Sequence, residues 1–256
     1  MFDRARFAFA AALAALALTA HAQGAEEIVA ATDRIRNPSQ PFRSALTLTE
    51  YVSGRERAHS TFILFSKEDA QRRFRNLLEY IEPTRDAGKR VLLDGKSFWF
   101  YDPASQTSVR ISAQQRLVGQ AAIGDVLSVN LGADYTPLLT GTEAIDDASR
   151  QKRNCWHLDM KAATDTAVYS RVEFWVEQGT FRPVKGKFYS DSGRLLKIIY
   201  YRNFVERLGA ARPGEAVIID AVDSSLATIA TFGESRFQDV PDAWFQRDFL
   251  PRLQVR

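Results

Sequence analysis

Apolar and polar residues alternate with a period of two through most of the chain, and this pattern constrains the fold more than any other feature. Successive side chains of a strand point to opposite faces of a sheet, so the pattern is typical of strands with one buried face. Turn residues separate the segments, and Asp94-Gly95 predicts a tight hairpin. Together they predict a meandering antiparallel sheet. The predicted strands cover residues 42–51, 57–65, 72–81, 89–93, 97–101, 107–111, 155–161, 171–177, 182–190, 195–205, 216–223 and 226–238.

The two faces of this sheet are expected to differ in polarity. One face carries large apolar side chains and the other is mostly polar, so the apolar face has to be buried against something. The helices in the sequence are too short to cover it fully. Two alternatives follow: the sheet closes into a packed barrel or sandwich, which the pattern alone favours, or the gap holds apolar cargo. The residues expected on the apolar face include Phe98, Phe100, Trp156, Leu158, Phe174 and Val176.

Three segments depart from the strand pattern. Residues 26–36 have the spacing of an amphipathic helix. Residues 112–139 form an insertion between two runs of strands, with short helical stretches at 114–118 and 125–131 separated by glycines. A final helix is expected after Pro241, with Trp244, Phe245, Phe249 and Leu250 on one face.

The first 22 residues have the features of a secretory signal peptide. Arg4 and Arg6 precede an uncharged stretch at 7–20, and Ala20-His21-Ala22 matches a signal peptidase site. We expect cleavage after Ala22 and a single domain over residues 23–256; the alternative is an uncleaved N-terminal anchor. Cys155 is the only cysteine, so an internal disulfide is excluded and the stability has to come from a core.

The chain shows little sign of catalytic or metal chemistry. Cys155, His157 and Asp159 share a strand face, but residues two apart on a strand lie about 6–7 Å apart, too far for a nucleophile and its base. We therefore interpret them as part of a solvated outer face. Phosphate-loop and nucleophile-elbow motifs are absent from the sequence. The formal charge is only +3, from scattered residues, so a nucleic-acid partner is not expected. We predict no catalytic residues, no metal ligands and no cofactor.

Several segments together resemble a known family. They are Trp99-Phe100-Tyr101-Asp102-Pro103, the run from Arg110 to Gln120, Gly124-Asp125-Val126 and Asp134-Tyr135, with further similarity at 31–36 and 240–242. The chain resembles the outer membrane lipoprotein-sorting proteins, relatives of LolA and LolB associated with inner-membrane lipid exporters. The resemblance implies a mainly β fold of the α+β class, an incomplete antiparallel β-barrel of about eleven strands whose short helices form a lid over the concave face.

The resemblance also implies a function and a set of site residues. The implied function is that of a soluble periplasmic carrier, which takes a lipid or lipoprotein cargo from an inner-membrane lipid exporter toward a possible outer-membrane acceptor. The six apolar residues given above would line the cavity. We expect Asp125 to cap a short helix, and Arg110, Arg116 and Asp134 either to pair within the insertion or, for Arg116, to meet a lipid headgroup. The residues of the lid motif are Arg110, Gln115, Arg116, Gly119, Gln120, Gly124, Asp125, Asp134 and Tyr135.

Two other functions remain open at this point. One is a structural subunit of an export complex with a filled core, and the other is a periplasmic lipid hydrolase.

Overall fold

The computed structural model describes residues 24–71, 73–127 and 130–253. The predicted signal peptide, residues 1–22, lies outside the described residues, as does residue 72 at the start of one predicted strand. Helix α1 covers residues 24–36. The other two α-helices are α2 (Ile123–Val126) and α3 (Leu131–Asp134), and 3-10 helices cover Thr84–Asp86, Asp242–Phe245 and Arg247–Arg252.

The strands of the described part are, in chain order, β1 (Phe42–Val52), β2 (Arg55–Glu68), β3 (Phe74–Glu82), β4 (Arg90–Leu93), β5 (Phe98–Asp102), β6 (Thr107–Ile111), β7 (Arg116–Val118), β8 (Ala121–Ala122), β9 (Tyr135–Asp146), β10 (Lys152–Ala162), β11 (Arg171–Glu177), β12 (Pro183–Tyr189), β13 (Leu195–Arg202), β14 (Val205–Arg207), β15 (Ala210–Arg212), β16 (Glu215–Asp220) and β17 (Leu226–Phe237).

Thirteen of these strands form one antiparallel sheet, in the order β6-β5-β4-β3-β2-β1-β17-β16-β13-β12-β11-β10-β9. Pairs β7–β8 and β14–β15 form two separate ribbons. Neighbouring strands are consecutive in sequence at all but two places. Strand β13 pairs with β16, across the β14–β15 ribbon, and β1 pairs with β17, so that the first and last strands meet in the middle of the sheet. The edges, β6 and β9, are not joined to each other, so the sheet remains open.

The sheet is strongly curved. Strands β3 and β9 are nine positions apart in the strand order, which would separate them by about 43 Å in a flat sheet with strands about 4.8 Å apart. Yet Phe74 of β3 and Tyr135 and Pro137 of β9 line the same groove. This confirms the mainly β prediction of an incomplete antiparallel barrel with short helices over its concave face, with thirteen strands in the sheet instead of about eleven.

The main apolar core lies on the inner, concave face. Alternate residues of the strands point into it, and α1 and residues from 112–127 and 130–134 pack against them. The alternation is clear in β2, where Phe62 and Leu64 belong to the inner core while Ile63 and Phe65 belong to a second cluster on the outer face. The period-two pattern therefore predicts correctly which residues share a face.

The C-terminal segment contradicts its prediction. The residues expected in a final helix form two 3-10 helices, the second of which contains Pro251. They pack on the outer face, where Phe245 and Leu250 join the second cluster, so this segment is not part of the lid. Buried Arg90 of β4 fixes it there by donating hydrogen bonds to the carbonyl oxygens of Leu250 and Leu253.

The insertion also differs from expectation. The stretch 114–118, expected to be helical, contains strand β7, which turns at Gly119 and pairs with β8. The expected helix at 125–131 is replaced by the separate helices α2 and α3. Strand β9 was not predicted at all, and the strand expected at 195–205 ends at Arg202, before the β14–β15 ribbon. No helix in the described part of the chain has the length and apolar character needed to cross a membrane.

Candidate functional site

The six apolar residues expected to line a cavity all contact the inner core. Phe98 on one arm of the sheet, and Leu158, Phe174 and Val176 on the other, are buried there. Phe100 and Trp156 are half-buried and pack against the same core. Across β10 and β11 these residues form two register pairs, Leu158 with Phe174 and Trp156 with Val176. Sequence alternation thus identifies a continuous apolar wall.

Two short pieces of the chain cover this wall. The first is α1, which buries Ala25, Ile28 and Val29 against the inner core. The second is the region from β7 to α3, which buries Ala121, Ile123, Val126, Leu127 and Leu131 there. We call α1 together with residues 112–127 and 130–134 the cover. Its apolar contacts are nondirectional, so polar contacts to the sheet determine its position.

One polar anchor lies at Asp125 in α2. Its side chain is fully buried and accepts hydrogen bonds from Lys197 Nζ at 2.7 Å, Tyr169 Oη at 2.5 Å and the Ala122 backbone N–H at 2.8 Å. This bond caps the start of α2, with Asp125 at the third position of the helix and not at the start of a helix over 125–131 as the sequence predicts. Burial and the neighbouring Asp125 charge raise the pKa of Tyr169 far above its usual value, so its hydroxyl stays protonated as a donor. Lys197 of β13 also donates to the Gln120 carbonyl oxygen at 3.0 Å.

Two glycines of the motif allow the insertion to approach its neighbours closely. Gly119 has φ +51°, and a Cβ there would lie 2.5 Å from Thr228 Oγ1 and 2.8 Å from Glu50 Cγ. The next backbone N–H, that of Gln120, donates to Thr228 Oγ1 at 2.8 Å. Gly124 lies against Val168, where a Cβ would be 2.5 Å from Val168 Cγ1. A larger side chain at either glycine would push the insertion away from the wall.

A second anchor joins the two parts of the cover. Asp33 of α1 accepts a hydrogen bond from the Gly132 backbone N–H at 2.9 Å and forms an ion pair with Arg36 at 3.0 Å. Burial raises the pKa of Asp33 to about 6, although Arg36 and the backbone N–H groups of Gly132 and Leu131 act in the opposite direction. Keeping the Asp33 carboxylate charged in the folded protein therefore costs free energy.

A third anchor fixes the C-terminal end of α1. Arg212 of β15 donates to the carbonyl oxygens of Arg34 at 3.0 Å and Ile35 at 2.7 Å. These carbonyls belong to the last turn of the helix, where the carbonyl groups lack partners within the helix and the dipole favours a cation. The same guanidinium donates to the Arg207 and Leu208 carbonyls, so it joins α1 to the β14–β15 ribbon.

The remaining motif residues have varied positions. Arg110 and Arg116 are exposed, and Asp134 accepts hydrogen bonds from Thr164 and Thr166, so the expected arginine–Asp134 pairing is wrong. Tyr135 is buried, and its hydroxyl accepts from the Tyr169 backbone N–H. The Gln115 carbonyl accepts from the Ile123 backbone N–H.

Lys197 and Arg212 were not identified from the sequence. A signal existed for Lys197, because it shares strand parity with buried Ile199 and therefore points inward. The sequence offers no comparable signal for Arg212, which stands directly before Pro213-Gly214.

Space under the cover is limited. A cavity of about 80 Å³ lies between the end of α1, α2 and the β14–β15 ribbon. Two smaller cavities, of about 40 and 20 Å³, lie beside α3. A groove of about 650 Å³ runs beside α1, between Phe74 and Tyr135. That groove is lined mainly by polar side chains and by none of the six wall residues, so a ligand of several hundred cubic ångströms reaches the wall only if part of the cover moves.

The sequence predicts that Cys155 lies on a solvated outer face, but in the structure this part of the outer face is buried. Cys155 is fully buried with Trp175 and Val184, and burial raises the pKa of its thiol to about 12, which opposes a nucleophilic role. His157 stacks on Trp175 at 4.3 Å, and Asp159 accepts from Arg171 at 2.7 Å. Among the described residues, no group of three His, Cys, Asp or Glu side chains is arranged to hold a metal ion.

Comparisons with known proteins agree with this geometry. A family model described as "-like: Uncharacterized protein" matches residues 73–252. The crystal structure of a LolA superfamily protein from Nitrosomonas europaea is 31% identical, with a TM-score of 0.78, and the match covers 88% of this chain and 98% of that one. None of the curated proteins matches the chain.

Two further solved structures share the fold at lower identity. A DUF1329 family protein from Desulfovibrio piger is 18% identical with a TM-score of 0.76, and the match covers 90% of this chain and 99% of that one. A domain described as that of an outer membrane lipoprotein-sorting protein, from Vibrio parahaemolyticus, is 18% identical with a TM-score of 0.73, covering 90% and 100%.

Proposed function

The chain belongs to the LolA superfamily, and from this we propose that it is a periplasmic carrier. It binds the acyl chains of a lipid or lipidated protein on the inner face of its sheet. It takes this cargo from an inner-membrane exporter and delivers it toward the outer membrane. The signal peptide expected at residues 1–22 would direct the chain to that compartment.

The observation that carries the proposal is that a continuous apolar wall is covered by separate short segments, which a few polar side chains hold in place. Burying each CH₂ of an acyl chain contributes about 0.8 kcal/mol, so a chain of about sixteen carbons gains roughly 12 kcal/mol by leaving water. The apolar side chains of the cover, such as Ile123 and Val126, gain in the same way from contact with the wall. Cargo and cover therefore compete for one surface with similar energies.

This competition makes release possible. When cargo displaces part of the cover, apolar contacts are exchanged for apolar contacts, and the net change depends on the polar anchors at Asp125, Asp33 and Arg212. When cargo leaves, the cover returns to the wall and keeps it from water. A protein with a permanently filled core would not need a separate apolar cover. Fixing such a cover with buried ion pairs would only cost desolvation energy.

A reversible crosslink tests whether the cover must move. Gly124 of α2 lies against Val168, with a Cβ–Cβ separation of 3.2 Å for an added Cβ, which is close to the roughly 3.5–4.5 Å of a disulfide. The double variant Gly124→Cys/Val168→Cys is titrated with fluorescent BODIPY-palmitate, oxidised and then reduced. We expect the reduced protein to bind the probe and the oxidised protein to bind it about tenfold more weakly or worse.

The single variant Val168→Cys, treated in the same way, controls for oxidation elsewhere, including at buried Cys155. Equal binding by the oxidised and reduced forms would show that this part of the cover does not gate the site. No binding in any form, together with no lipid in native mass spectra of the protein purified from its own cells, would support a structural subunit instead.

A further inference from the structure

We propose that the cavity at the end of α1 receives an anionic headgroup, so that the cargo is an anionic amphiphile, with Arg207 and Arg212 supplying the positive charge. This inference rests on the proposed carrier function and adds the chemical class of the cargo. The cavity lies between α1, α2 and the β14–β15 ribbon, at one rim of the apolar wall.

The lining of this cavity is itself amphiphilic. Phe42, Leu64, Val126 and Phe232 form its apolar side and continue into the inner core. Arginine side chains from α1 and the ribbon form the other side. A molecule with an apolar tail and a charged head would match both sides, with the tail directed along the wall and the head toward the ribbon.

The charges around the cavity do not cancel. Two of its charged residues are already neutralised: Asp125 by Lys197 at 2.7 Å, and Arg36 by Asp33 at 3.0 Å. Within the described ranges, neither Arg207 nor Arg212 forms an ion pair with a carboxylate. Two guanidinium groups, both permanently charged at neutral pH, therefore lie in the ribbon without an opposite charge.

Both guanidinium groups are instead bonded to backbone carbonyl oxygens. Arg207 donates to Phe232 and Pro213, each at 2.6 Å, and to Gly233 at 3.3 Å. Arg212 is only 6% exposed and holds the end of α1. Burial and the charge of Arg207 lower the pKa of Arg212 to about 10, which reflects the cost of placing two like charges together out of water.

An entering anion would remove that cost. Buried charges in proteins are normally paired, and guanidinium groups bind carboxylate or phosphate through parallel hydrogen bonds. Arg207 is half-buried and lies at the accessible side, whereas Arg212 lies behind it against α1. We therefore assign the direct contact to Arg207 and the supporting charge to Arg212. Because Arg212 also holds α1, an anion at this site is placed where it can influence the cover.

Calorimetric titration with three probes tests the assignment: decyl phosphate, decanol and inorganic phosphate, all below micellar concentrations. We expect decyl phosphate to bind about tenfold or more tightly than decanol, equivalent to about 1.4 kcal/mol. Inorganic phosphate should bind far more weakly than decyl phosphate, because it lacks the tail. Tighter binding of inorganic phosphate than of decyl phosphate would identify a free-anion site and overturn the proposal.

Variants show whether the preference comes from Arg207. Arg207→Gln should reduce the ratio of the decyl phosphate affinity to the decanol affinity to near one, and Arg207→Lys should keep most of that ratio. Arg57→Gln, at an exposed position on β2, is the matched control and should behave as the unaltered protein. Equal affinities of the unaltered protein for decyl phosphate and decanol would refute the headgroup site but leave the carrier function intact. Failure to bind either amphiphile would refute the carrier function itself.

Discussion

Replacing Lys197 with Met gives a direct measure of how firmly the cover is anchored. The Lys197 side chain is 11% exposed and that of Asp125 is 0% exposed, and the pair joins β13 of the sheet to α2 of the cover. Methionine has a similar length and preserves most of the packing, so the substitution removes chiefly the charge. Asp125 would then keep its bonds to Tyr169 and to the Ala122 N–H but lose its counter-charge.

The expected cost follows from burial. Removing one member of a buried ion pair leaves an uncompensated charge and typically costs about 3–5 kcal/mol. If the region around α2 detaches instead, the protein loses the burial of Ile123, Val126 and Leu127, which is worth about 1.5–3 kcal/mol per side chain. These two outcomes, a buried charge without a partner and detachment of α2, can be distinguished. Only detachment exposes apolar surface while the rest of the sheet remains folded.

Urea unfolding followed by tryptophan fluorescence measures the loss of unfolding free energy. An unchanged m value shows that the same amount of surface is exposed when the variant unfolds. Lys187→Met is the matched control, since its pair with Glu173 spans 3.4 Å and its side chain is 30% exposed; we expect about 1 kcal/mol or less there. The double variant Lys197→Met/Asp125→Asn should recover part of the loss. A loss below about 1 kcal/mol for Lys197→Met alone would refute the assignment of this pair as an anchor.

Three further outcomes follow from single positions. Gly119→Ala should lower the unfolding free energy by about 2–4 kcal/mol in urea unfolding, because its φ is +51° and the added Cβ meets Thr228. Gly179→Ala, at φ +81° in open space, should cost only about 1 kcal/mol in the same assay. The raised pKa of Asp33, about 6 against 3.8, means that the folded state binds the proton more strongly; stability contributed by this group should therefore fall as pH rises from about 4 to 6. Asp33→Asn should remove this fall in urea unfolding at pH 4.5 and 7, and parallel pH dependence of the two proteins would contradict it. The Cys155 thiol should resist Ellman's reagent at pH 8 in the folded protein and react on unfolding, since it is buried and its pKa is about 12; rapid reaction in the native state would be inconsistent with that burial.

Regular alternation made the faces of the strands predictable from the sequence. Phe98, Leu158 and Phe174 were placed on the apolar face because strand geometry fixes side-chain direction once the strand is recognised. Strand β9 was missed because most of its side chains are exposed at an edge, so it has little alternation to reveal it. The C-terminal segment was misjudged because a short apolar run fits a helix as well as an irregular segment on a sheet.

The polar anchors could not be predicted from short stretches of the sequence, because their partners are far apart in the chain. Lys197 and Asp125 are 72 residues apart in sequence, and Arg212 reaches α1 across 177 residues or more. Their pairing depends on how the two arms of the sheet curve around the cover, which no local pattern encodes. The bond from the Ala122 N–H to Asp125 is local, but it caps the short helix α2 and not the helix predicted over residues 125–131.

The pairing of the first strand with the last affects how the chain folds. Phe42 lies opposite Phe237, so the hydrogen bonds at the middle of the sheet join the most distant parts of the chain. While the polypeptide is still being synthesised, its two arms remain separate half-sheets, each with an exposed inner edge that can pair wrongly. Contacts between such remote positions form slowly. Deleting β17 would therefore divide the sheet at its centre, whereas deleting β6 would only shorten one edge.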